Sequence, residues 1–259
     1  MRRTRFPLFF APLGGLLVLF ILLPLGATIL SATPQRLAET LLDPEVRRSI
    51  GLTLTAAAIA TGLGLAGGLP LAYLLARVRF PGRRLLEGII DLPVIIPHTA
   101  AGIALLMVFG RQGLLGKPLS QVGLLFTDSL AGIVAAMLFV SLPYLINMSR
   151  EAFALIDPEM EQVAAIDGAS PLQAFLFVTL PQAWRGIAGG ALMMWARGIS
   201  EFGAVVILAY HPKIVPVLIF ERFEGFGLSY ALPVAVILIL TVLLIFALLR
   251  WLLMPERAQ

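Results

Sequence analysis

From Leu8 to Leu30 the chain carries no charged residue, and a second uncharged run extends from Ala231 to Leu249. A helix needs about 20 apolar residues to cross a bilayer. Inside the hydrocarbon every backbone N–H and C=O must find a partner within the protein, which restricts such runs to helices or a closed barrel. The short alternating segments of a membrane barrel are absent. The chain has 259 residues, 59% of them hydrophobic and 13% charged, against about 25% charged in an ordinary soluble domain. These features specify an all-α polytopic membrane protein. Six spans are expected, at Leu8–Leu30, Ser49–Ala76, Leu92–Phe109, Leu130–Met148, Pro181–Tyr210 and Ala231–Leu253.

An even number of crossings puts both termini on one side. Arg2, Arg3 and Arg5 precede the first span, and the basic loop Arg77–Arg84 follows the second. Positive charge in short loops marks the cytoplasmic side, so both termini are expected there, in a multi-pass protein of the cell membrane. Arg36, Arg47, Arg48 and Arg111 fall on the external side and weaken the asymmetry. The first apolar run is longer than the roughly 7–15 residues of a cleaved signal and reads as a retained span. The formal charge of +4 follows from the same loop arginines, and no nucleic-acid partner is expected. Lipid is the surrounding medium.

The chain has no cysteine and only two histidines, which gives no metal-ligand spacing. It lacks a phosphate-binding Walker loop, an HExxH helix and a GxSxG elbow. No catalytic or metal-binding residue is therefore assigned. Several spans contain helix breakers: Pro93 and Pro97 in the third, Pro143 in the fourth, and the glycine-rich Thr61–Pro70 in the second. They serve close packing or kinks. The external stretch His211–Ser229 holds an apolar run, Ile214–Phe220, too short to span, and reads as a re-entrant or interfacial piece.

Arg197 and Glu201 fall near the middle of the fifth expected span, four residues apart on one helix face. Each costs about 2.5–3.5 kcal/mol at the centre of a membrane helix on insertion scales. Two explanations stay open: Arg197 lines a path for an anion with Glu201 orienting it, or the two form a structural ion pair. His98 either lines the same path or bonds a neighbouring helix. Asp91 is expected at the cytoplasmic interface.

The most informative stretch is a polar interruption, EQVAAIDGASPLQAFLFVTLP, Glu161–Pro181. Asp157-Pro158 is a helix start, with a capping side chain and a proline suited to the first turn. Glu159 and Glu161 favour that turn through the helix dipole. Gly168 supplies a left-handed stop near Asp167, and Ser170-Pro171 opens a second helix that Leu180-Pro181 ends. Two short cytoplasmic helices at an angle result. Their apolar residues Val163, Ala164, Ile166, Leu172 and Phe175 form a surface that wants a partner.

This stretch resembles the cytoplasmic coupling loop of ABC importer permeases: EAA, three residues, glycine, nine residues, I, any residue, LP. Gln162-Val163-Ala164 stands for EAA, Gly168 for the glycine and Val178 for the isoleucine, and Leu180-Pro181 is intact. Gln162, Val163 and Val178 depart from the consensus, with Glu161 adjacent as the acidic group. The stretches Ala76–Leu106 and Trp195–Pro212 resemble permease subunits of molybdate/tungstate importers, and sulfate permeases share much of the wording.

The resemblance implies a type I importer fold, with residues 1–259 as one transmembrane permease domain and 157–180 as its coupling loop. It also implies a homodimer, two cytoplasmic ATP-binding cassette subunits that use ATP and Mg²⁺, and an extracytoplasmic oxyanion-binding protein. This chain would bind no cofactor itself. Glu161, Gln162, Ala164, Gly168, Ser170, Pro171, Leu180 and Pro181 are the expected coupling residues, and Arg197, Glu201 and His98 the expected path residues. Two other readings are a membrane enzyme built on Asp91, His98, Arg197 and Glu201, and an assembly factor that docks through the loop.

Overall fold

The computed structural model describes residues 6–253; Arg2, Arg3 and Arg5 lie outside them. In chain order the helices are α1 (Phe6–Ser31), α2 (Pro34–Leu42), α3 (Pro44–Arg77), α4 (Arg83–Ile95), α5 (His98–Phe109), α6 (Gly116–Gln121) and α7 (Leu130–Ala154). There follow α8 (Glu159–Ile166), α9 (Pro171–Ala174), a π-helical turn (Phe175–Thr179), α10 (Leu180–Ile199), α11 (Gly203–Leu208), α12 (Val215–Phe226) and α13 (Leu228–Leu253).

The centre is a bundle of α3, α7 and α10. Ala56, Ala57 and Ala60 of α3 pack with Ile133, Met137 and Val140 of α7 and with Leu192, Trp195 and Ile199 of α10. Lipid offers helices no hydrophobic reason to associate, so close van der Waals approach has to hold them. Gly186 and Gly190 on α10 make that approach possible. A Cβ on Gly186 would run into Ala152 of α7, and one on Gly190 would lie 3.1 Å from Met148 Cβ and 3.2 Å from Leu145 O. In contrast, α1 leaves Leu13, Leu16, Leu19 and Phe20 exposed, as a helix facing lipid tails should.

Six spans were expected, several of them carrying helix breakers, and two of the six are divided in the structure. Among the described residues four helices are long and apolar enough to cross alone: Phe10–Ser31, Pro44–Arg77, Leu130–Ala154 and Leu228–Leu253. The third expected span is broken: α4 and α5 meet at 112°. Of its two prolines, Pro93 is buried inside α4, whereas Pro97 makes the break. A residue before proline is pushed out of the helical region, and Ile96 is extended at φ −75°, ψ 149°.

The fifth expected span, Pro181–Tyr210, is also divided. Helix α10 stops at Ile199 and α11 restarts at Gly203. With Gln182, Arg185, Arg197 and several glycines, α10 is less apolar than the spanning helices. It is packed against α3 and α7, with Ile187, Ala188, Leu192, Met194 and Trp195 among its buried residues.

Helices α2, α6 and α12 lie outside the six expected spans. Thr33-Pro34 and Asp43-Pro44 start α2 and α3, the side chains of Thr33 and Asp43 accepting the N–H groups of Arg36 and Glu45. The second span therefore begins at Pro44 and not at Ser49. The apolar run in His211–Ser229 is helix α12, which buries Val215, Val217 and Leu218.

Candidate functional site

The polar interruption folds largely as its local chemistry dictates. Asp157 Oδ1 accepts the Glu159 N–H at 2.9 Å. Helix α8 ends in a Schellman motif: Ala169 N donates to Ala164 O at 2.9 Å and Gly168 N to Ala165 O at 3.1 Å. Gly168 takes φ +91°, a region in which a side chain is strained. Ser170 and Gln173 then form a reciprocal capping box, with Pro171 in the first turn of α9.

One expectation fails: Leu180-Pro181 does not end the second helix. The chain runs from α9 through the π turn into α10 without interruption. Leu180 N bonds Phe175 O, five residues back. That wider turn carries the helix into Pro181, whose missing N–H would otherwise break the ladder.

The outer face of α8–α9 exposes Val163, Ile166 and Leu172, together with Gln162, Gly168, Ser170 and Pro181, while Ala164 is half-buried. Phe175, expected on that face, turns inward. Its ring packs edge-on to Tyr73 at 4.8 Å, and Tyr73 in turn packs on Phe153 at 5.5 Å.

Glu161 also points inward. Its Oε1 accepts from Arg77 Nε at 3.1 Å, Arg77 Nη2 at 2.9 Å and Thr179 Oγ1 at 2.6 Å, and its Oε2 accepts from Tyr73 Oη at 2.8 Å. Burial pushes the Glu161 carboxyl up, but the hydrogen bonds from Thr179, Tyr73 and Arg77 and the Arg77 charge outweigh it. The net result is a carboxyl held below its ordinary value.

A second cluster forms where the two broken spans meet. His98 opens α5 immediately after the Pro97 break, Arg197 lies in the last turn of α10, and Glu201 sits in the gap before α11. Glu201 is therefore not on a continuous helix face with Arg197, as its spacing implied; its side chain folds back instead. Glu201 Oε2 accepts from Arg197 Nη2 at 2.9 Å and lies 3.0 Å from His98 Nδ1, while Oε1 accepts the Ala204 N–H at 2.8 Å and caps α11.

Arg197 Nη2 also lies 2.8 Å from His98 Nε2. The same Nη2 lies 2.7 Å from His98 Nδ1, so the guanidinium stands against both ring nitrogens. Glu201 is fully buried, and the side chains of Arg197 and His98 are 18% and 36% exposed. The Arg197–His98 side of the cluster is thus partly exposed while its anion is enclosed. Close packing fixes the junction: a Cβ on Gly203 would lie 2.8 Å from His98 Cβ, and one on Gly102 would lie 3.0 Å from Ala204 Cα. Asp91 is engaged separately, accepting from Asn147 Nδ2 at 2.7 Å.

Residue patterns did not disclose a third polar group, at the end of the bundle opposite α8. Lys213 bridges Glu45 at 3.2 Å and Glu221 at 2.6 Å, and Arg222 binds Asp43 at 2.6 Å. The buried Thr53 hydroxyl of α3 accepts the Val215 N–H of α12 at 2.9 Å. The hydrogen bond that Lys213 donates to Glu221 holds the lysine's pKa above its ordinary value and the carboxyl's below. Beside this network a cavity of about 340 Å³ is lined by Arg36, Asp43, Arg222 and Tyr230 among others.

The sequence profile of the binding-protein-dependent transport system inner membrane component matches residues 68–253. The chain belongs to this family. It is 44% identical over 253 residues to the molybdate/tungstate transport system permease protein WtpB of Pyrococcus furiosus, covering 97% of this chain and 96% of that one. The sulfate transport system permease protein CysT of Salmonella typhimurium is 33% identical over 237 residues, with 88% and 86% covered. Among solved structures, a bacterial ABC transporter that imports the acidic polysaccharide alginate superposes with a TM-score of 0.74 at 17% identity, over 97% of each chain. That likeness is one of fold. Membership of the family makes this chain a multi-pass membrane component of a transport system.

Proposed function

We propose that this chain is the permease subunit of an ATP-driven importer for a tetrahedral oxyanion, molybdate or tungstate, delivered by an external binding protein. The relatives at 39–44% identity carry molybdate/tungstate permease names, whereas the sulfate permeases stand at 32–33%. Two copies of the chain enclose the path, and two cytoplasmic ATPase subunits supply the energy from ATP and Mg²⁺. The α8–α9 end and both termini face the cytoplasm, and the divided helix α10–α11 supplies a sixth crossing. Residues 1–259 act as one permease domain with 157–180 as its coupling loop.

The observation that carries this reading is the α8–α9 segment, two capped helices joined at a left-handed glycine, with an apolar outer face and a continuous connection into α10. Gln162, Ala164, Gly168, Ser170 and Pro171 shape the piece that seats on the ATPase, and Leu180 and Pro181 pass its movement to α10. His98 and Arg197 line the path, and the enclosed Glu201 sets the orientation of Arg197. With Glu201 opposing Arg197, the cluster has little net charge, so it guides an anion without trapping it; a pore has to release what it admits.

The test is reconstitution of the chain with its ATPase in proteoliposomes, with binding protein outside and ATP inside. Labelled molybdate uptake is expected to need all three proteins and to resist excess sulfate. Uptake without ATPase would overturn the importer, and uptake abolished by equimolar sulfate would overturn the choice of anion.

A further inference from the structure

A residue that docks onto a cytoplasmic partner should present its charge outward. Glu161 does the opposite: each carboxylate oxygen is occupied from within the chain, by Arg77 and Tyr73 of α3 and by Thr179 of the π turn. Arg77 also reaches the end of the α7 segment, its Nη1 donating to Ile156 O at 2.9 Å. Helix α8 therefore has two routes into the bundle. One is the covalent path through α9 and the π turn into α10. The other is the Glu161 carboxylate gripping the end of α3.

Helix α3 has 34 residues, a rod of about 51 Å. Its opposite end is fastened to the α12 region: Glu45 to Lys213, Asp43 to Arg222, and the Thr53 hydroxyl to the Val215 N–H. A displacement of α8 that pulls on Arg77 is thus delivered at the far end of the molecule to α12, which packs its Phe220 against Phe202 of the α10–α11 gap at 5.0 Å.

We infer that Glu161 is a positioning residue that makes α3 a second transmission rod, linking the coupling segment to α12. The inference rests on the coupling role proposed above for α8–α9. It assigns Glu161 to a clamp inside the permease and not to contact with the ATPase. Charge-assisted hydrogen bonds are the strong ones, which suits a joint that must carry load in both directions.

The experiment uses the assembled permease–ATPase complex in lipid nanodiscs. It reads ATPase retention, basal hydrolysis, and the stimulation of hydrolysis by anion-loaded binding protein. Glu161→Gln is expected to retain the ATPase and basal hydrolysis while stimulation falls about tenfold, the scale of losing a hydrogen bond to a charged group. Tyr73→Phe and Thr179→Val each remove one donor and give smaller losses in the same direction. They also keep the test alive if Glu161→Gln fails to fold.

The exchanged pair Arg77→Glu with Glu161→Arg is expected to regain part of the stimulation that either single change loses. Release of the ATPase by Glu161→Gln, unchanged stimulation, or no recovery in the exchanged pair would each overturn the clamp. Ile166→Asp, on the exposed face of α8, tests the underlying reading independently. If that variant keeps its ATPase, α8–α9 is not the docking segment.

Discussion

Gly168 offers the cleanest separation of backbone conformation from packing. Its φ of +91° lies in the left-handed region, yet a Cβ built on it would meet nothing within 4 Å. Substitution therefore brings no clash, and its whole cost is conformational, about 1–2 kcal/mol for an ordinary residue. A penalty of that size shifts an equilibrium by about 5–30-fold. The equilibrium concerned is local, between the closed Schellman end of α8, held by Ala169 N to Ala164 O, and open forms in which α8 and α9 lose their fixed angle. Uptake in proteoliposomes should follow the backbone preference of the replacement. Gly168→Asn is expected to retain most activity, Gly168→Ala to lose about five- to tenfold, and Gly168→Val to lose more, since a branched Cβ stiffens the residue further. Thermal melting of the detergent-solubilised protein should barely move in any of them, because the residue is exposed and touches no other element. Equal activity in all three variants, or equal loss in Asn and Val, would refute the reasoning.

Gly203→Val is expected to lower the melting temperature by the equivalent of about 1–3 kcal/mol. The new side chain would meet the backbone of His98 and Thr99 at 3.2 Å, which cannot retreat; Gly225→Ala, with open space around it, is the control that should not lose stability. Glu201→Ala strands Arg197 and the Ala204 N–H beside a buried site and should cost about 3–5 kcal/mol in denaturant or thermal unfolding, with Glu201→Gln milder. The carboxyl of Glu161 is lowered on folding, so its clamp is fully present above the ordinary carboxylate value of about 4.3 and is lost as pH falls through the lower folded value. Stimulation by loaded binding protein should be flat from neutral pH to about pH 5. A loss that begins near pH 6 would point to a different group.

The signals legible in the sequence were those whose physics closes within three or four residues. Asp157-Pro158, Gly168 and Ser170-Pro171 each specify a cap or a stop from local hydrogen bonding, and the structure carries all of them. The same cap-then-proline signal stands at Thr33-Pro34 and Asp43-Pro44, and reading it there would have found α2 and the true start of α3. What stayed hidden depended on direction. Pro93 and Pro97 announced a distorted third span, but only packing decides that α4 continues through the first and bends at the second by 112°. That bend brings His98 onto Arg197, a residue 99 positions away. The inward turn of Glu161 was hidden for the same reason, since its partners on α3 lie 84 and 88 residues off. The ion pair of Arg197 and Glu201 was legible from their spacing, though the gap in the helix between them was not.

The π turn at Phe175–Thr179 has a consequence for sequence length. Relative to a regular helix it holds one surplus residue, and one residue in an α-helix is a rotation of about 100° and a rise of about 1.5 Å. The wider turn takes up that residue locally, so excising one there would let the turn relax to ordinary winding with α9 and α10 still in phase. Regular helix has no such slack. Excising one residue between Gly190 and Arg197 would spin the end of α10 by that angle and face Arg197 away from His98. The turn thus acts as a length buffer between the α8–α9 segment and the buried ion cluster, tolerant of a loss that the winding beyond it is not.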